Sequence, residues 1–496
     1  MRQKFWDSCI IVTVQIVLCI IHKRLYETGS AGLKIPVRKE KLNMQYEKLF
    51  RAQSVWKSIF SLAVPSVIVI LVMILYNMTD MFFLGQLGDI RQVAAVSVVS
   101  PLFSLSAAVA TMLGSGGTAL IAKALGSNDK KQAKIYASLC FWGAAGFGIL
   151  IAIGLLLTRK TILPVLGASD EVLQFAEAYM GICAMGVPLM LASTTLGSII
   201  RAEGAVKEGM AGNMAATLLN MVLEPLFILV MDLGVAGAAA ATVLGNLAGT
   251  LYYIYYIRKK AAVLNISIPL AVQSPGALLD ILALGLPNAL SSILSGFAST
   301  FSNRLLGNHG TDAIAAMAAA GKMAMLISMI QMGICMGIQP LLAYNYGARD
   351  LPRLKEILQK AALLTAGLGV FTGAACYFGR GIVIGMFLKE ALAAEMGEQM
   401  VVYLVLGSPV IGIYYLGTNF LQASGNAVLA TVMSVLRQGV LLIPFLYLFH
   451  RFWGLGGIAA AYTAADLAAA VIASLFLLKQ YRRLSADTEK NMQNYE

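Results

Sequence analysis

The feature that most constrains this chain is a succession of apolar segments, each long enough to cross about 30 Å of hydrocarbon as a helix of about 20 residues. Twelve of them lie near residues 59–84, 98–122, 135–157, 172–198, 209–230, 235–257, 277–301, 314–338, 361–378, 400–421, 428–449 and 454–478. A bilayer interior leaves an unpaired N–H or C=O without water, so segments of this kind are confined to helices. Composition agrees, with 58% hydrophobic and 12% charged residues against about 25% charged in soluble domains. The sequence predicts an all-α polytopic membrane protein of twelve transmembrane helices.

The formal net charge of +12 does not point to nucleic acid, because Lys and Arg collect in alternate connections between spans. One side holds "AKALGSNDKKQAK" at 122–134, Arg201, Lys207, "RKK" at 258–260, "ARDLPRLK" at 348–355 and "KQYRR" at 479–483. The other holds Arg91, Arg159, Lys160, Arg304, Arg380, Lys389 and Arg451. The bias exceeds two to one, and the positive-inside rule then places both ends of the twelve-helix body in the cytoplasm of a cell with the protein in its inner (plasma) membrane. Residues 1–57 form a basic arm whose apolar stretch is interrupted by Asp7 and Gln15. It reads as a cytoplasmic approach to span 1, with Met44 as an alternative start.

The six cysteines are scattered with no C-x-x-C pair, and His22, His309 and His450 lie far apart in sequence. Neither a metal site nor a disulfide framework is expected, and without a nucleophile elbow, zinc motif or Walker loop neither is an enzyme. No cofactor is expected.

Sliding the chain by about 221 residues aligns its halves. Pro65 falls on Pro287, "GSND" at 126 on "GARD" at 347, Pro188 on Pro409, "AEG" at 202 on "ASG" at 423, and "GVAG" at 234 on "GLGG" at 454. Six spans per repeat is an even number, so both repeats enter from the same side and are parallel. The expected organisation is an arm (1–57), an N-lobe (58–260), a cytoplasmic linker (261–276), a C-lobe (277–480) and a cytoplasmic tail (481–496). Two such bundles around a central cavity suit alternating access.

Ionisable groups inside spans are costly and mark pathways or counter-ions by default. The candidates are Asp80 in span 1, Glu224 in span 5, Lys322 in span 8, Arg437 in span 11 and Asp466 in span 12. Asn77 precedes Asp80 by three residues and Asn220 precedes Glu224 by four, so each pair can share a helix face. Pro225 frees the carbonyl of Met221 beside the second carboxylate. The duplication supplies an internal control: Ser302 stands in the place of Asp80, and Glu224 falls on the uncharged stretch around Ile443 and Pro444. Two acids that merely built a lobe would be needed in both lobes, so their asymmetry points to function. A snorkelling amine accounts for Lys322, and a paired structural role for Asp466.

"YNMTDMFFLGQLG", "IRAEGAVKEGMAGNMAATLLNMVLEPLFIL", "GVAGAAAATVLGN", "GIQPLLAYNYGARD" and "NFLQASGNAVLATVMSVLRQGVLLIP" resemble the multidrug and toxic compound extrusion (MATE) transporters. The likeness is greatest to the bacterial branch that includes the DinF-like and MepA-like exporters, over about residues 55–480. The resemblance implies two six-helix lobes forming a V, and efflux of organic, chiefly cationic, compounds driven by a proton or sodium gradient, with a monomer sufficient. It also implies an N-lobe coupling site formed by Asp80, Asn220, Glu224 and Thr242, with Asn77 and Pro225 as accessory members. The family commonly has Asp where this chain has Glu224. Desolvation and mutual repulsion both disfavour two negative charges in such a site, so the acids can hold a proton near neutral pH; an all-oxygen sodium cage is the alternative. Within the same superfamily, a flippase for lipid-linked oligosaccharides is the rival reading. It would require several cations facing pyrophosphate, for which Lys322, Arg304 and Arg437 are few.

Overall fold

Helix follows helix from Val55 onward in the computed structural model, which describes residues 50–51, 54–86, 89–388 and 390–493. The readings made for the N-terminal arm and for Met44 therefore lie almost wholly outside the described residues. In the N-lobe, α1 is Val55–Gln86, α2 Ile90–Gly126, α3 Lys130–Val165, α4 Asp170–Ala202, α5 Val206–Pro225 with a π-helical continuation at Leu226–Val230, and α6 Gly234–Lys259. In the C-lobe, α7 is Ala277–Gly307, α8 Thr311–Gly347 and α9 Leu351–Phe387. The next crossing, α10, is a pair of helices, Ala391–Val405 and Ser408–Ser424, bent by 48°.

Beyond it the helical stretch Ala427–Ser485 is 59 residues long, about 88 Å at 1.5 Å per residue. That is far more than one crossing requires, and the stretch breaks at Gly454, with φ 54° and ψ −131°. It therefore supplies α11 (427–453) and α12 (455–493). The twelve crossings expected from hydropathy are all present. Most are longer than the apolar windows that announced them, because the helices run on past the hydrocarbon and end on caps.

The repeat motifs are legible as geometry. Asp129 accepts the N–H of Gln132 and Asp350 that of Arg353, each capping the helix that follows. The residues before those caps, Asn128 and Arg349, are both left-handed, so "GSND" and "GARD" make the same turn. Gly204 and Gly425 also share a positive φ, as do Gly234 and Gly454. One equivalence fails. Pro188 lies within the continuous α4, whereas Pro409 opens the second half of α10. Gln331, fully buried, donates to the carbonyl of Ser408 at 2.6 Å and satisfies part of that break.

The lobes meet along one half of the membrane thickness. A Cβ on Gly285 would lie 1.8 Å from the carbonyl oxygen of Met112, and one on Gly116 1.9 Å from that of Ile281, so α2 and α7 cross backbone to backbone. Gly126 and Gly347 stand equally close to the carbonyls of Tyr344 and Lys123, joining α2 to α8. Lys123 also donates to the carbonyl of Ser424. These approaches all fall toward the face that carries the basic connections. Toward the opposite face Met73, Leu75, Leu105, Phe297 and Met325 are exposed.

By the positive-inside rule the basic face is expected in the cytoplasm. Single cysteines in 126–134 or 347–355 are expected to resist an impermeant thiol reagent applied to intact cells and to react once the membrane is opened. Ready labelling from outside would invert the topology.

The connection after α6 is fastened to the N-lobe. Glu203, in the turn between α4 and α5, accepts N–H bonds from Val263 and Leu264. Ser138 and Trp142 of α3 donate to the carbonyls of Asn265 and Ile266 at 2.9 Å and 3.1 Å. A short helix, Ile268–Gln273, packs against α3. Only Ser274, Pro275 and Gly276 separate it from α7.

Candidate functional site in the N-lobe

Asp80 sits near the C-terminal end of α1, and Asn220 and Glu224 on one face of α5, as a four-residue spacing dictates. Asn220 is 4% exposed and Glu224 fully buried. Directly after Glu224, Pro225 ends the α-helical ladder and the chain widens into the π-helical turn Leu226–Val230. Proline has no N–H to donate and its ring obstructs the preceding turn, which gives the physical reason for the change of helix type.

The four residues expected to form the site come together. The carboxyl groups of Asp80 and Glu224 lie close enough to act on each other's charge. Two carboxylates this near repel each other unless a proton or a cation comes between them. Asn220 Nδ2 donates to Thr242 Oγ1 at 3.1 Å, and Thr242 in turn donates to the carbonyl of Ala238 at 3.1 Å. Asn220 Oδ1 and both oxygens of Glu224 are buried without a hydrogen-bond partner among the described residues. Buried acceptors in that state cost free energy unless a proton or cation meets them. The side chain of Asn77 lies outside the described residues.

Three members escaped the sequence reading. Tyr76 lies beside Thr242, Asp80 and Glu224. Tyr179 and Cys183 of α4 lie side by side near Asp80. The available signal was spacing: Tyr76 precedes Asp80 by four residues, as Tyr179 precedes Cys183, so each pair occupies one face. The second repeat offers a contrast. Ser302 occupies the place of Asp80 and lies beside Tyr462, which occupies the place of Thr242.

Outside this cluster, Asp466 is paired, accepting from Arg437 Nε at 2.7 Å, and Lys322 is exposed.

Comparison with known proteins places this geometry in context. The MatE family model matches residues 65–226 and again 287–448, reproducing the duplication. The multidrug export protein MepA of Staphylococcus saprophyticus is 30% identical over 439 residues, covering 88% of this chain and 97% of that protein. MepA of Staphylococcus aureus is 29% identical over 442 residues, with 89% and 97% covered. Among solved structures, an outward-facing multidrug resistance MATE family transporter of the MOP superfamily superposes with a TM-score of 0.83 at 24% identity, covering 88% of this chain and 98% of that one. A MOP superfamily transporter from Pyrococcus furiosus matches with a TM-score of 0.82, also at 24% identity, covering 88% and 98%.

Proposed function

The chain belongs to the MatE family of membrane transporters, and on that premise we propose that it exports small amphipathic organic compounds, chiefly cations, in exchange for protons or sodium ions. The multidrug export named for the MepA relatives supports the substrate class. The observation that carries the exchange is the closeness of the Asp80 and Glu224 carboxyl groups, with Asn220, Thr242 and Tyr76 around them.

Such a pair has two states of different charge. With a proton or sodium ion bound, the pair is largely neutralised and its hold on a cationic substrate is weakest. When the ion leaves toward the cytoplasm, the negative charge returns and the affinity for a cation rises. An ion and a substrate that bind different states of one site are exchanged rather than carried together, because differential affinity between states is what links them. The π-helical turn after Glu224 supplies a place where α5 can change its contacts with modest rearrangement. The protein acts as a monomer in the plasma membrane in this reading, with both ends of the helical body in the cytoplasm.

The test is dye efflux from vesicles that contain the purified protein and carry an imposed proton or sodium gradient. One of the two gradients is expected to accelerate efflux of a cationic dye, and collapsing it with an ionophore to stop the acceleration. Efflux indifferent to both gradients would remove the exchange mechanism.

A further inference from the structure

We propose that a cavity inside the C-lobe is a second ligand site, suited to an aromatic compound that carries a carboxylate. The cavity is about 430 Å³ and lies among α7, α8, α10, α11 and α12, in the lobe that lacks the acid pair. This volume falls in the range of about 300–1,000 Å³ typical of small-molecule pockets. The proposal involves no N-lobe group and stands apart from the exchange mechanism.

Two charged side chains line it, Arg437 and Asp466. Their link is the bond from Arg437 Nε to Asp466 Oδ1 at 2.7 Å, with the side chains 12% and 17% exposed. The guanidinium also rests on two rings, 4.9 Å from the centroid of Tyr414 and 5.7 Å from that of Tyr415. A guanidinium carries five N–H donors. Asp466 takes the Nε donor, which leaves donors for another acceptor. Ser295 and Ser299 add hydroxyls to the wall, and Tyr415 adds a ring face.

The duplication again serves as a control. Along the repeat, Arg437 corresponds to Ala216 and Asp466 to Asn246, so a lobe of this plan folds without the ion pair. A buried pair is a weak source of stability compared with apolar packing, and stability alone gives little reason to keep this one. The sign of the ligand follows from how each charge can be compensated. A cation drawn to the other oxygen of Asp466 would meet the fixed positive charge of Arg437 beside it, and one that displaced Arg437 would strand a permanently charged guanidinium without its counter-ion. An anion adds to the unused donors, and if it displaces Asp466, that side chain can take up a proton. Arginine has no such option. The site therefore favours a carboxylate on a flat apolar body.

Three isosteric probes test it on the purified full-length protein by titration calorimetry: 2-naphthoate, 2-naphthamide and 2-naphthylmethylammonium. Naphthoate is expected to bind tightest, with the amide weaker by about ten- to a hundredfold, the range spanned by a charge-assisted hydrogen bond. Arg437→Gln should remove that advantage. The double variant Arg437→Gln, Asp466→Asn should do the same without stranding a buried charge, which keeps the test valid if the single variant folds poorly. Ser299→Phe, which fills the cavity, should weaken all three probes. Equal affinity for the three, a preference for the ammonium, or naphthoate binding indifferent to the double variant would each overturn the proposal.

Discussion

Replacing Asp80 by Asn is expected to reduce gradient-driven efflux to background while leaving the folded protein intact. Asn keeps the size of the side chain, so the packing of α1 against α5 survives. What it loses is the ability to alternate between a charged and a neutral form. Glu224→Gln should have the same effect. Glu224→Asp should retain part of the activity, because the charge stays and only the reach shortens. The double variant Asp80→Asn, Glu224→Gln should be little worse than either single one, since groups that act as a unit do not contribute additively. Efflux measured at matched expression decides: near-normal pumping by Asp80→Asn would show that the acid pair is not the coupling site.

The second large effect is expected from one added methyl group. At Gly285 a Cβ would sit 1.8 Å from the carbonyl oxygen of Met112, and neither atom is the end of a flexible side chain. Gly285→Ala must push α7 off α2, and overpacking of this kind costs about 3 kcal/mol at the upper end of its usual range. Charged against the state in which the basic face is sealed, that shifts the balance of sealed to unsealed molecules by about a hundredfold. A cysteine at Ser66, on α1 within the seal, should then react with a water-soluble thiol reagent in the Gly285→Ala background and stay protected in its parent. Gly307→Ala, at a position with open space around it, should change nothing. Protection that persists with Gly285→Ala would place the lobes' contact elsewhere.

Hydropathy alone located the crossings because a bilayer admits few alternatives to a helix. It missed the bend in α10, since Pro409 and Pro188 look equivalent in sequence and only the packing of Gln331 against Ser408 distinguishes them. Asp80, Asn220 and Glu224 stood out because polar atoms in an apolar run call for an explanation, and Thr242 through the resemblance to the family. Tyr76 and Tyr179 did not, because a tyrosine in a span is ordinary filling until its neighbours are known. The pairing of Arg437 with Asp466 lay beyond helical periodicity for a different reason. The residues are on separate helices, and the π-helical turn Leu436–Leu441 shifts the phase by which residues share a face.

The fastening of residues 263–273 to the N-lobe also changes how the two halves count as partners. Because Glu203, Ser138 and Trp142 hold most of that connection, the free tether is only Ser274–Gly276. A tether this short keeps each lobe in the presence of the other at an effective concentration of millimolar order or above. Each reclosure of the lobes is then a unimolecular event, with the search for orientation largely done in advance. A pair of weak, glycine-lined contacts can therefore close reliably without being strong enough to hold the lobes shut.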